Sequence, residues 1–151
     1  MSNVIQFETG IEEFSLNGKV SVTFMPTDIH FINRVINAFN EIQSMYETYQ
    51  AAVEPYQGSD SEEGAKAVYE IAEKADAEIR DKINAVFDKD VCTPTIGYSS
   101  ILSPAGGLPI WQNMLLAIID RFDDQIMKEQ QKTNPRLAEY TRKYQKRKKQ
   151  R

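Results

Sequence analysis

His30 is the chain's one histidine and Cys92 its one cysteine, so the side chains able to do covalent or acid–base chemistry are few. A histidine acting as base needs a nucleophile and an orienting acid. Asp28 lies two residues before His30, a spacing that does not share a helix face. A capping or surface role is expected for His30. A single cysteine forms no intrachain disulfide and no cysteine-rich metal site. Asp88 and Asp90 stand just before Cys92 and would raise its thiol pKa, so Cys92 reads as a small buried hydrophobe. Asp88-Lys89-Asp90 begins like a calcium loop but lacks the later oxygen donors, the central glycine and the closing glutamate. Asp120, Asp123 and Asp124 lack the Glu-x-x-His partners of a carboxylate-bridged metal pair and read as a solvated helix face. Gly106-Gly107 precedes a helix without the Gly-Lys-Ser/Thr of a phosphate loop, and Pro109 removes one N–H donor. A tight turn is expected there. No catalytic, cofactor-binding or metal-binding residue is therefore nominated, and a non-enzyme is expected.

The elements that would position a binding surface are easier to read. Phe14 and Leu16 alternate before Asn17-Gly18, and Val20, Val22 and Phe24 alternate after it, which is a hairpin pattern. A two-residue loop would pair Leu16 with Lys19 and put the two apolar sets on opposite faces. A three-residue loop brings them together, so that register is expected over residues 12–25, with a type I turn and a bulge at Gly18. Val4–Glu8 is a candidate third strand. Thr27 or Asp28 would cap a helix over about 28–54, with apolar residues at three- and four-residue steps from Ile29 to Val53. Ser59 and Glu62 have capping-box spacing before a second helix at 61–87. Residues 88–108 read as an irregular, packed loop with room for one helical turn. Pro109 would open the third helix, 109–131, at its first position. Its stripe of Ile110, Trp111, Met114, Leu115, Ile118, Ile119, Phe122 and Ile126 marks it as the central core helix. Asn134-Pro135 starts a final basic helix. The expected class is α+β, mainly α. Residues 1–135 form one domain and 136–151 a basic helical tail.

Charge is polarised. Residues 136–151 carry eight basic side chains and one acidic, a net +7, while the remaining 10 basic and 21 acidic residues give the body −11. Arg142, Lys143, Lys146, Arg147, Lys148 and Lys149 are the candidate partner-binding residues of the tail. Tyr140 and Tyr144 interleave with them, as in a nucleic-acid-binding strip, but the body's negative charge repels a polyanion. No apolar run approaches the ~18–20 residues of a membrane span, and Met1–Phe7 lacks the basic-then-apolar pattern of a secretory signal.

Four segments, in order, carry a family resemblance. They are Phe14-Ser15-Leu16-Asn17-Gly18; Val22-Thr23-Phe24-Met25-Pro26-Thr27-Asp28; Gly107-Leu108-Pro109-Ile110-Trp111 leading into Leu115-Leu116-Ala117-Ile118-Ile119-Asp120; and Lys132-Thr133-Asn134-Pro135-Arg136 followed by Tyr140. Together, over residues 10–145, they resemble small tail proteins of phages and prophages of Gram-positive bacteria, similar to tail assembly chaperones. The resemblance implies a non-enzymatic protein that self-associates and coats the tape measure protein before the tail tube polymerises. It implies the tape measure protein as client and the major tail protein as a further candidate partner. It also implies action in the host cytoplasm and absence from the mature virion. The hairpin residues Phe14, Leu16, Val20, Val22 and Phe24 are the candidates for self-association. Apolar helix surface and the 88–108 loop are the candidates for the tape measure. Two rival readings are a structural tail-completion or connector protein and a nucleic-acid-binding regulator using the basic tail.

Overall fold

The computed structural model describes residues 2–149, with side chains described as far as Lys143. Helix makes up 63% of it against two short hairpins, so the class is α+β, mainly α. Strands β1 (Glu12–Leu16) and β2 (Val20–Phe24) form the first hairpin. It is followed by helices α1 (Ile29–Val53), α2 (Glu62–Phe87) and a short α3 (Cys92–Ile96). A second hairpin, β3 (Pro104–Ala105) and β4 (Leu108–Pro109), leads into α4 (Ile110–Gln131) and α5 (Arg136–Lys149).

The first hairpin has the three-residue loop that its apolar pattern requires. Leu16 pairs with Val20 and Phe14 with Val22, so Phe14, Leu16, Val20, Val22 and Phe24 share one face. The turn type differs from expectation. Asn17 (φ 53) and Gly18 (φ 69) are both left-handed, and the Lys19 N–H donates to the Leu16 carbonyl at 3.0 Å. That is a type I′ turn, whose twist matches the strands better than type I; Lys19 becomes the extra loop residue. The candidate strand at Val4–Glu8 does not form. Residues 2–11 run outside the sheet, and Val4, Ile5 and Phe7 are exposed.

Asp28 caps α1, its carboxylate accepting the His30 backbone N–H at 3.0 Å. Pro55 then tightens the chain into one 3₁₀ turn, Glu54–Tyr56. Helix α2 is capped by Ser61, which accepts the Gly64 N–H at 3.0 Å, and not by Ser59. Ser59 instead meets the Ser61 hydroxyl at 2.9 Å, so the capping box read from Ser59 and Glu62 is absent. Pro109 is the residue before α4 rather than its first member. The loop between α2 and α4 is more ordered than its sequence suggested. It holds α3 and the β3–β4 hairpin, in which Gly106 (φ 63) and Gly107 (φ 87) make the turn.

Helix α1, not α4, is the central element: it packs against both α2 and α4. A phenylalanine cluster ties the hairpin to this bundle. Phe24 stacks between Phe14 and Phe31, with centroids 4.5 and 4.6 Å away, and meets the edge of Phe122 at 6.2 Å. Such aromatic pairs add about 0.5–1.5 kcal/mol each beyond their buried area. A hairpin that would be marginal alone is thereby fixed to the core. The α4 stripe does face inward, with Trp111, Leu115, Ile118 and Phe122 buried. Ile29 of the α1 stripe, by contrast, faces outward.

Candidate partner-binding groove

Fixing Phe24 in the core leaves the two side chains of β1, Phe14 and Leu16, half-buried beside α4. Between them and α4 runs an apolar groove of about 660 Å³. Its α4 wall is Ile110, Met114, Ala117 and Ile118, and Ile96 of α3 adds to its apolar lining. Polar groups border it. The Arg121 guanidinium lies over the Phe14 ring at 5.5 Å, and the Asn113 amide donates to the Ala105 carbonyl at 2.7 Å. Glu13 and Asn17 complete the β1 side. An apolar cleft with a few polar groups at its margin is the usual form of a binding site.

The α3 and β3 side of this groove is held by polar residues of α2 that sequence reasoning missed. The Asp76 carboxylate accepts the Ile101 N–H at 2.7 Å and the Arg80 Nε–H at 3.1 Å. Arg80 in turn donates to the carbonyls of Gly97, at 2.9 Å, and Ser99. The Asn84 side-chain oxygen accepts the Val91 and Cys92 N–H groups at 2.8 and 3.2 Å. The loop's own carbonyls then serve α4, which has no side-chain cap: Ser103 accepts from Ile110 and Ile101 from Trp111. These donors satisfy part of the helix's free first turn. The only sequence signal for this clamp is the i, i+4 spacing of Asp76, Arg80 and Asn84 on one helix strip, which is also the spacing of an ordinary solvated face.

The nominated self-association residues divide. Val22 and Phe24 belong to the chain's own core and are not available to another copy. Val20 is partly buried against it, and Phe14 and Leu16 line the groove. The β1–β2 sheet has two strands only, so each keeps one edge unpaired within its sheet. In the tail, Arg142 and Lys143 are exposed on α5. The side chains of Tyr144, Lys146, Arg147, Lys148 and Lys149 lie outside the described residues.

The residues first weighed for chemistry are dispersed. His30 is exposed, with Asp28 engaged in capping. Asp90 accepts the Thr93 N–H in the first turn of α3, and hydrogen bonds from the Thr93 backbone and side chain hold its carboxyl below the usual range. Among the described residues no three of His, Cys, Asp and Glu group to hold a metal ion, and no helix is long and apolar enough to cross a membrane. Cys92 is buried, and desolvation pushes its thiol up to about 11, against a smaller opposing pull from Arg80. A raised folded-state pKa means that this thiol's contribution to stability is complete below the unfolded pKa and is lost as pH rises toward 11. Native protein at pH 8 is therefore expected to react with a thiol reagent at least about tenfold more slowly than urea-unfolded protein. A Cys92→Ala variant should show a flatter fall in stability between pH 9 and 11 than the parent, measured by urea unfolding.

The sequence matches no protein-family model, and no curated protein or solved structure is similar to it.

Proposed function

We propose that this chain is a non-enzymatic phage tail assembly chaperone, which self-associates and coats the tape measure protein before the tail tube forms. The observation that supports this reading most is the apolar groove between β1 and α4, left open after the core is complete. A tape measure protein is a long helical chain whose apolar stripes would aggregate if bare. A protein that shields it needs apolar surface beyond the demands of its own fold, and exposed apolar patches of this kind mark interaction sites. The order of the four family-like segments adds the phage context. Self-association is assigned to the hairpin, and client binding to the apolar helix surface, the α4 wall of the groove included, and to the 88–108 segment. The chain acts in the host cytoplasm and is absent from finished particles.

Co-expression with the tape measure protein encoded nearby tests this. Many copies are expected to co-purify with a soluble tape measure on sizing. An aggregated tape measure with this protein left free would remove the reading. Mass spectrometry of purified virions tests the localisation. Stoichiometric recovery of the chain there would favour a structural connector instead.

A further inference from the structure

Carboxylates border the β1–α4 groove on both of its margins. Glu13 lines it on the β1 side. On α4, Ile110, Met114, Ala117 and Arg121 follow one another at i, i+4, i+7 and i+11 and form one ridge along the groove. Asp120 and Asp124 are exposed on the flank of that ridge turned away from the buried face, beside Asn113 and Ala117. Among the described residues Glu13, Asp120 and Asp124 take part in no ion pair. The one cation of the lining, Arg121, stands on the ridge itself and lies over the Phe14 ring at 5.5 Å.

An apolar channel with negative margins is complementary to an apolar stripe with positive flanks. The body of the chain, residues 1–135, carries −11 and steers the same kind of partner toward it. The shape of the channel favours a helix. The α4 ridge runs for about 16 Å, three helical turns, and Ala117, small and exposed near its middle, lets a second helix axis come close. Anchors spaced at i, i+3 or i+4, and i+7 on that second helix can follow the ridge, the usual pattern of a helix bound in a groove. We propose that the groove takes a basic amphipathic helix of its client, with lysine or arginine on both sides of the apolar stripe; that this helix belongs to a tape measure protein rests on the chaperone reading. The apolar contact alone would accept any stripe of the right spacing. The margins make it selective, because a stripe flanked by acids sets like charges opposite Glu13, Asp120 and Asp124.

Three synthetic peptides test it, each of about 18 residues so that a helix can hold in water. They share one leucine stripe and carry flanks of lysine, glutamine or glutamate. Fluorescence anisotropy with the full-length protein in about 0.1 M salt, where exposed charges still act over ~10 Å, is expected to rank them in that order. The lysine peptide should bind at least about tenfold more tightly than the glutamate peptide. Ala117→Gln puts a longer neutral side chain on the ridge and should weaken the lysine peptide by roughly fivefold or more. The triple variant Glu13→Lys, Asp120→Lys and Asp124→Lys, changed only at exposed positions, should reverse the ranking. Both variants are expected to fold as the parent does by circular dichroism. Equal affinities, a glutamate peptide bound tightest, or no binding by any of the three would overturn the proposal. So would a lysine peptide indifferent to Ala117→Gln, which would sit elsewhere on the acidic body, or a peptide bound in extended form, which would be adding to the β1 edge. Co-expression with the tape measure answers the separate question. A soluble, coated tape measure together with the wrong ranking removes this inference alone. An aggregated tape measure together with the expected ranking removes the chaperone reading and leaves the groove's preference standing.

Discussion

Trp111→Ala is expected to bring the folded chain close to its unfolding threshold. Trp111 is the largest fully buried side chain and has no solvent exposure. It joins α4 to α1 through the rings of Phe39 and Tyr46, with centroids at 5.6 and 5.7 Å. Truncating a buried tryptophan costs about 3–5 kcal/mol, transfer and cavity terms together. Domains of this size hold only about 5–15 kcal/mol in total. The indole Nε1–H, however, has no hydrogen-bond partner among the described residues. Trp111→Phe therefore sacrifices no internal hydrogen bond and removes a desolvated donor, so it should cost less than half as much as alanine. Urea unfolding followed by far-ultraviolet circular dichroism reads both, because the chain's one tryptophan is the residue replaced. Equal losses for alanine and phenylalanine would show that packing of the indole ring itself, not core volume, holds α4 in place.

Asp76→Ala should have the next largest effect, and a more local one. Asp76 holds the Ile101 N–H and Arg80 together, and Arg80 holds the Gly97 and Ser99 carbonyls. Ile101 and Leu102, just beyond, are buried. Hydrogen bonds to charged groups contribute about 1.5–3 kcal/mol each. Asp76 and Arg80 retain 22% and 16% side-chain exposure, so water recovers part of the loss. A net cost of about 2–3 kcal/mol is expected. Amide exchange should rise first at 97–103, ahead of the α1 core, because this clamp joins one loop to one helix. Arg80→Lys should restore little, since a point charge cannot reach Asp76 and two carbonyls in the guanidinium's planar geometry. Loosening the loop also removes the backing of Ile96 and Ala105, so that wall of the groove should open before the protein unfolds.

The contrast between the hairpin and this clamp shows what kind of information each link carries. The hairpin register was legible because period-two alternation admits one loop length that puts Phe14, Val22 and Phe24 on a common face. Its turn type was misread because the choice between type I and type I′ follows strand twist, and Asn17 and Gly18 tolerate both. The cap of α2 was displaced from Ser59 to Ser61 because three hydroxyl or carboxylate residues, Ser59, Asp60 and Ser61, compete and only backbone path decides among them. The Asp76–Arg80 clamp was hidden because its acceptors are backbone carbonyls 17 and 19 residues away, which no side-chain pattern encodes.

Local chemistry in this chain settled its long helices and their caps to within a residue or two, because each depends on neighbours within about four positions, and strand alternation settled the hairpin register. Partner choice among the helices was a different matter. Helix α4 has the strongest apolar stripe, yet α1 became the centre because both α2 and α4 needed a surface and α1 lies against each. The same long-range packing drew Val22 and Phe24 inward while leaving Phe14 and Leu16 on a groove wall, although all four alternate identically in sequence. Burial is a property of what stands opposite a side chain, and that is decided only when distant segments meet.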